Sequence, residues 1–306
     1  MEIIRPDINI NIVGKMKGAV ICSLALIIVS ISSLILHGGP RLGIDFAGGT
    51  LVQIQFKKET TTDRIRSGLK KVGLENSVIQ QFGYKDNNEF LIRTEKSTSD
   101  LKGLSGEIED ALAATYDKSE FEVRRVEIVG PKVGKDLRQK GINAMLIAMI
   151  GILIYITWRF QFRYAIGAII ALIHDVLITV GVFSLLGKEF TLPIIAALLT
   201  IIGYSLNDTI VVYDRIRENI RKFRRQTLRE IINSSINQVL SRTILTSATT
   251  LLVVFALFFL GGAVIHDFAF ALLVGILVGT YSSVFIASPT ILAWETFKPS
   301  KKKRGK

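Results

Sequence analysis

Long apolar runs alternate with polar stretches along the chain, and their lengths decide how each is read. A helix needs about 20 mostly apolar residues to cross a bilayer. Six runs reach that scale: Gly18–Leu36, Gly141–Trp158, Ala165–Leu186, Phe190–Tyr213, Ile244–Gly262 and Phe268–Leu292. Only the third and fourth carry acids well inside, Asp175 and Asp208. Lys15 and Lys17 precede the first run, as in a signal peptide. The run is longer than a typical signal core and no small-x-small cleavage site follows it, so it reads as an uncleaved anchor.

Between the first two runs the pattern changes period. Thr50–Phe56 alternates like a half-buried strand, and Thr62–Val72 carries Ile65, Leu69 and Val72 on one helical stripe. Ser77–Phe82 and Glu89–Arg93 read as two strands joined by a turn at Lys85-Asp86-Asn87-Asn88. Leu101–Tyr116 has Leu104, Ile108, Ala111, Leu112 and Tyr116 in helical phase, and Phe121–Val129 reads as a last strand. The order βαββαβ is the ferredoxin-like pattern. The expected fold is therefore an α-helical membrane protein with six transmembrane helices and one extracytoplasmic α+β ferredoxin-like domain between the first and second. The domain alone says little of function; it fits equally a module that docks partners or one that packs on its own spans.

Composition agrees with a membrane protein. Of 306 residues 49% are apolar and 21% charged, and the mean hydropathy is +0.41. A disordered chain is excluded, and with Cys22 as the lone cysteine so is a disulfide-stapled scaffold. The net charge of +12 has a topological explanation. With the N-terminus inside, segments 1–17, 159–164, 214–243 and 293–306 carry 19 basic and 6 acidic residues, against 19 and 18 in the outer segments. That is the positive-inside asymmetry. It divides the chain into a cytoplasmic N-terminus (1–17), a first span (18–36), an outer domain (37–140), a five-helix bundle (141–292) with a cytoplasmic amphipathic loop (214–243), and a basic cytoplasmic tail (293–306). In that loop Phe223, Leu228, Ile231, Ile232 and Ile236 suggest a helix pair lying at the membrane surface. The tail reads as a lipid-facing anchor, and no specific nucleic acid is expected as a partner.

No catalytic constellation is present. His37, His174 and His266 are scattered, and neither a nucleophile triad nor a zinc or Walker motif occurs, so no enzyme activity, cofactor or metal is expected. The run Gly43-Ile44-Asp45-Phe46-Ala47-Gly48-Gly49-Thr50 lacks the Lys-Ser/Thr ending of a phosphate loop and reads as a tight turn into the first strand. The informative residues are the buried acids. A carboxylate at a span's centre costs roughly 2.5–3.5 kcal/mol on insertion scales and needs a reason. Asp208 shares a helical stripe with Thr200, Tyr204 and Val211, with either Asn207 or Asp208 on the inner side. Arg242 opens the fifth span at matching depth, followed by Thr246, Thr249 and Thr250. Asp208 and Arg242 are candidates for a proton pathway. Asp175, Asn207, Tyr204 and Thr246 belong either to that pathway or to helix packing. Arg242 also fits a plain interfacial anchor.

These residues carry a family resemblance over nearly the full length. It rests on the Gly43–Thr50 run, Val129-Gly130-Pro131-Lys132-Val133-Gly134, His174-Asp175-Val176, the stretch from Tyr204 to Asn219 with Asn207-Asp208-Thr209, Arg242-Thr243 with Thr246-Ser247, Asp267-Phe268-Ala269, and Gly279-Thr280-Tyr281-Ser282-Ser283. In this order they resemble the SecF members of the SecD/SecF family, membrane subunits of bacterial protein export related to resistance-nodulation-division transporters. The resemblance implies a heterodimer with SecD, action beside the SecYEG channel with YajC and YidC as further partners, a translocating precursor as cargo, contact with membrane lipids, and a multi-pass location in the bacterial inner membrane with both termini cytoplasmic. It also implies that the proton motive force drives the cycle through Asp208 and Arg242. Two other functions fit the residues: a proton-coupled small-molecule or lipid efflux transporter, for which the outer domain is small, and a non-transporting scaffold of the translocon.

Overall fold

The computed structural model describes residues 9–75, 77–82, 87–94 and 101–297. Lys85 and Asp86 of the expected turn, and the basic tail from 298 onward, lie outside the described residues, as does the side chain of Leu104. Six helical units are long and apolar enough to cross a membrane. They are α1 (Ile12–Leu36), α5 (Pro131–Arg159), α6 (Phe162–Leu185), α7 (Leu192–Lys222), α8 (Leu228–Leu260) and the pair α9 (Gly262–Phe285) and α10 (Ala287–Phe297).

The polar insert forms the expected sheet domain. Strands β1 (Gly49–Phe56), β2 (Val78–Phe82), β3 (Glu89–Thr94) and β4 (Phe121–Val129) form one antiparallel sheet in the order β2-β3-β1-β4. Helices α3 (Thr62–Leu69) and α4 (Leu101–Ala113) connect β1 to β2 and β3 to β4, which completes the ferredoxin-like topology. Alternation puts Val52, Ile54 and Phe56 of β1 and Phe90 and Ile92 of β3 on the helix-facing side, where they meet Ile65, Leu69, Ile108 and Leu112. Arg93, between Ile92 and Thr94, points to the other face. The expected helix over 62–72 stops at Leu69 and tightens into a 3₁₀ turn over Lys70–Val72, because Gly73 takes a left-handed φ of 68°. The glycine-rich run is a turn, as its composition suggests, and also holds one helical turn, α2 (Ile44–Ala47). Gly48 ends it at φ 78°, and a Cβ there would lie 2.8 Å from the Cα of Pro131, so the start of α5 closes directly over the turn.

In the bundle, α7 packs along α9 and also touches α8 and α6, while α1 lies on α6. Two apolar clusters occupy opposite ends. Near the sheet domain Phe183, Ile194, Leu198, Ile201, Leu273 and Ile276 pack together. At the far end Met16, Ile156, Tyr164, Val212, Tyr213 and Ile232 do so. The stretch 214–243 forms a helix pair that continues the fourth span and packs on the bundle. Its halves are the unbroken ends of α7 and α8, because Ile216, Ile232 and Ile236 are buried in the far-end cluster, and Asn219 Nδ2 donates to Ser235 Oγ and Gln238 Oε1, each at 2.9 Å.

Candidate functional site

Between the two apolar clusters lies a layer of polar side chains from α6, α7, α8 and α9. A helix supplies every backbone hydrogen bond internally, so polar groups at this depth must find partners among side chains. Helix spacing puts Ser205 and Asp208 of α7, and Gly279 and Ser282 of α9, on facing sides. A Cβ at Gly279 would lie 3.0 Å from the Cβ of Ser205, so glycine lets the two helices meet there.

Asp175, at 0% exposure, is the best-satisfied group in the layer. One carboxylate oxygen lies 2.9 Å from His174 Nδ1. The other accepts from Ser205 Oγ at 2.6 Å and Ser282 Oγ at 2.8 Å. Three helices therefore meet on one carboxylate. The His174 ring lies stacked on Tyr281, whose hydroxyl donates to the Ala19 carbonyl at 2.6 Å and so brings in α1.

Asp208, buried at 2% exposure, is held far more lightly. Ser247 Oγ of α8 donates to it at 3.4 Å, and Ser247 Oγ lies 2.7 Å from Thr280 Oγ1 of α9. Arg242 stands on the same helix α8, ahead of Ser247. Among the described residues Asp208 and Arg242 make no ion pair, and Arg242 is exposed.

The other sequence-derived candidates divide between inside and outside. Tyr204 is half-buried and its hydroxyl donates to Thr250 Oγ1 at 3.3 Å, which ties α7 to α8. Thr246 donates to the Arg242 carbonyl at 2.8 Å. Asn207 is exposed, as are Thr200 and Gly203 on the same face of α7. Sequence reasoning missed Ser205 and Ser282 as partners of Asp175, Ser247 as a partner of Asp208, and Thr280 as the partner of Ser247. Their signal is a hydroxyl placed at helical spacing within an otherwise apolar run.

The arrangement can do ionic rather than covalent chemistry. It holds two carboxylates in one apolar frame, one locked by hydroxyls and one nearly free. Such a layer can take up and release charge and, through it, bias how the helices pack.

Residues 108–297 match the family described as protein export membrane protein SecD/SecF, C-terminal, and residues 33–60 match the SecD/SecF GG motif, which contains Gly48 and Gly49. The chain is 50% identical over 295 residues to the protein translocase subunit SecF of Magnetococcus marinus, spanning 95% of this chain and 94% of that one. It is 45% identical over 293 residues to the SecF subunit of Vibrio alginolyticus, spanning 95% and 91%. The crystal structure of SecDF, a translocon-associated membrane protein, from Thermus thermophilus matches with a TM-score of 0.87 at 38% identity. That match covers 96% of this chain and 40% of the SecDF chain, so the present chain spans less than half of that solved protein. A SecDF structure in a super-membrane-facing form matches with a TM-score of 0.69 at 40% identity, over 95% and 39% of the two chains. The chain belongs to the SecD/SecF family of protein-export membrane proteins.

Proposed function

We propose that this chain is the SecF half of a SecD–SecF unit that assists SecYEG in moving precursor proteins across the bacterial cytoplasmic membrane, driven by the proton motive force. The observation that carries the proposal is the state of Asp208: a buried carboxylate with, among the described residues, a single long hydrogen bond and no ion pair to the basic Arg242 on the neighbouring helix. A merely structural acid would be expected to be saturated with donors, as Asp175 is.

The uncovered side of the site supports a SecD partner. Asn207 and Thr200 of α7 and Arg242 and Thr249 of α8 are exposed on helices that must otherwise meet lipid. Polar groups at membrane depth call for protein or a water-filled path beside them. A homologous bundle packed on this side completes the site. YajC, YidC and membrane lipids are further partners in this scheme. The basic ends of the spans support an orientation with both termini in the cytoplasm and the sheet domain outside.

The cycle follows from charge. Asp208 alternates between a neutral form and an ionised form stabilised by Arg242 and water. Each form favours a different packing of the two bundles, which is the differential interaction that a population shift requires. The sheet domains move with the bundles and hinder the emerging chain from sliding back. Asp175, with Tyr204 and Thr246, holds the helices that frame this motion. No bond in any substrate is made or broken.

The test uses membrane vesicles holding SecYEG, SecD and this chain. A translocation intermediate is followed after ATP is removed and a proton gradient imposed. Wild type is expected to complete translocation and Asp208→Asn, at matched abundance, to stall. Equal completion by both would leave Asp208 a structural residue and sink the proton-driven scheme.

A further inference from the structure

One corner of the sheet domain is fastened to the turn between α6 and α7, just ahead of the helix that carries Asp208. The chain after α1 runs beside this turn, with Gly43 N donating to the Phe190 carbonyl and Phe190 N donating to the Arg41 carbonyl, both at 2.7 Å. Asp45 Oδ2 accepts from Leu192 N at 2.8 Å and so caps the first turn of α7. The sheet itself is joined by a side-chain pair. Arg93 Nη1 of β3 lies 2.8 Å from Glu189 Oε1 and donates to the Leu42 carbonyl at 2.9 Å. Both side chains are mostly buried, at 21% and 17% exposure.

We propose that Arg93 and Glu189 form a protonation-released latch: it fastens the sheet domain to the outer end of α7 while Glu189 is ionised, and frees the domain when Glu189 takes up a proton from that side. Its place in the export cycle rests on the proton-driven function proposed above; the latch itself does not.

The physical case has two parts. First, the pair changes strength with one proton. An ionised carboxylate gives a charge-assisted bond, whereas a neutral one leaves the mostly buried guanidinium without its counter-charge, held by uncharged acceptors such as the Leu42 carbonyl. Arg93 then gains by moving toward water, and β3 moves with it. Second, the surroundings favour proton uptake. Burial pushes the Glu189 carboxyl above the ordinary carboxylate range, and nearby Asp267 pushes the same way, while Arg93 and Arg41 oppose. The charged and titratable groups facing this corner are Arg93 from β3, Arg41 from the segment after α1, Lys188 from the same turn, and His266 and Asp267 from α9. Lys188 Nζ is 2.5 Å and His266 Nδ1 3.3 Å from Asp267 Oδ1. By contrast, the backbone bonds at Gly43 and Phe190 do not titrate. They keep the base of the domain attached while the sheet swings, so the latch opens as a hinge rather than a detachment.

The experiment is an inter-label distance measurement on the full chain with SecD in lipid. Cys22→Ser removes the native thiol, and spin labels are placed at Ser119 in the sheet domain and Leu186 in the α6–α7 turn, both exposed. Wild type is expected to give a narrow distance distribution at pH 8 that broadens and lengthens as pH falls, with a midpoint above the ordinary carboxylate range. Glu189→Gln is expected to give the broad form at every pH, and Arg93→Gln, which breaks the pair from the other side, the same. Asp267→Asn removes a like charge and should move the wild-type midpoint to lower pH, whereas His266→Gln should leave the transition in place. A wild-type distance that is constant from pH 8 to 5 overturns the latch. So does a transition that persists in Glu189→Gln, since another group would then carry it. None of these readouts needs export, so the latch can fail while the export function holds, or hold while export fails.

Discussion

Asp208 and Arg242 make no ion pair among the described residues: the carboxylate is buried under a 3.4 Å hydrogen bond from Ser247, and Arg242 stays exposed on α8. A charge acting at a distance has weaker geometric demands than a forked ion pair. Arg242→Lys is therefore expected to keep most gradient-driven export. Arg242→Gln is expected to lose about tenfold or more, the size that roughly 1.4 kcal/mol of lost stabilisation produces. Rates from the vesicle assay decide it. A lysine variant as inactive as the glutamine variant would mean that the guanidinium fork itself grips something, such as a group on SecD.

Asp175 should behave in the opposite way, as a stability residue. Asp175→Ala leaves His174 Nδ1 and the hydroxyls of Ser205 and Ser282 without their shared acceptor. A buried polar group deprived of its partner costs roughly 1–3 kcal/mol, although Ser282 can fall back on the Gly279 carbonyl at 3.1 Å. The thermal-unfolding midpoint of the purified complex is expected to drop clearly, while Asp208→Asn, which keeps the shape and an acceptor for Ser247, barely moves it. If Asp208→Asn proved the more destabilising of the two, the division of labour between the acids would be wrong.

The two acids also mark how far the sequence could be read. Runs of apolar residues located all six spans, since span length depends on composition and not on packing, and alternation together with turn residues located the four strands of the described sheet. Which polar residue faces inward was legible only to within one position: spacing on α7 allowed Asn207 or Asp208. Helix rotation settles it, and rotation depends on where α9 can approach. The close fit of Gly279 against Ser205 turns Asp208 in and leaves Asn207 exposed. The partners of Asp175 lie 30 and 107 residues further along the chain, on other helices, so no local pattern could pair them. The surroundings of the stretch 214–243 were not legible for a related reason. Its apolar stripe fits a membrane surface as well as a neighbouring helix, and only the contacts of Ile216, Ile232 and Ile236 with the far-end cluster distinguish them.

Small residues set the spacing of the bundle, and one position tests this sharply. A Cβ at Gly181 of α6 would lie 2.1 Å from the Cβ and 2.7 Å from the Cα of Ser30 on α1, so no side-chain shift can admit it. Gly181→Leu is expected to separate α1 from α6 and to reduce accumulation of the folded complex severely. At Gly203 on α7 an added methyl would have nothing within 4 Å, and Gly203→Ala should be neutral or gain up to about 1 kcal/mol from helix propensity. Folded yield after detergent extraction separates the two. Loss of yield in Gly203→Ala would point to a SecD helix packed against that exposed face.

The start of α1 offers a test of capping across helices. The first N–H groups of a helix have no partner within it. Here Asn233 of α8 supplies one: its Oδ1 accepts from Ile12 N at 2.9 Å and Val13 N at 3.1 Å, while Asn11 accepts from Gly14 N at 2.8 Å. Asn237 adds a second tie, accepting from Ile10 N at 2.8 Å and donating back to the Ile10 carbonyl at 2.9 Å. Residues 10–13 thus depend on α8 for their order. Asn233→Ala should speed amide exchange at Ile12 and Val13 and cost about 1 kcal/mol, the usual loss when a capping acceptor is removed. Asn233→Asp keeps the acceptor and places negative charge at a helix N-terminus, which is favourable, so its exchange should match wild type or run slower. Hydrogen exchange of the N-terminal peptide reads both variants. Fast exchange in Asn233→Asp would show that the Nδ2 contact to Asn9, at 3.4 Å, and not the accepting oxygen, holds the segment to α8.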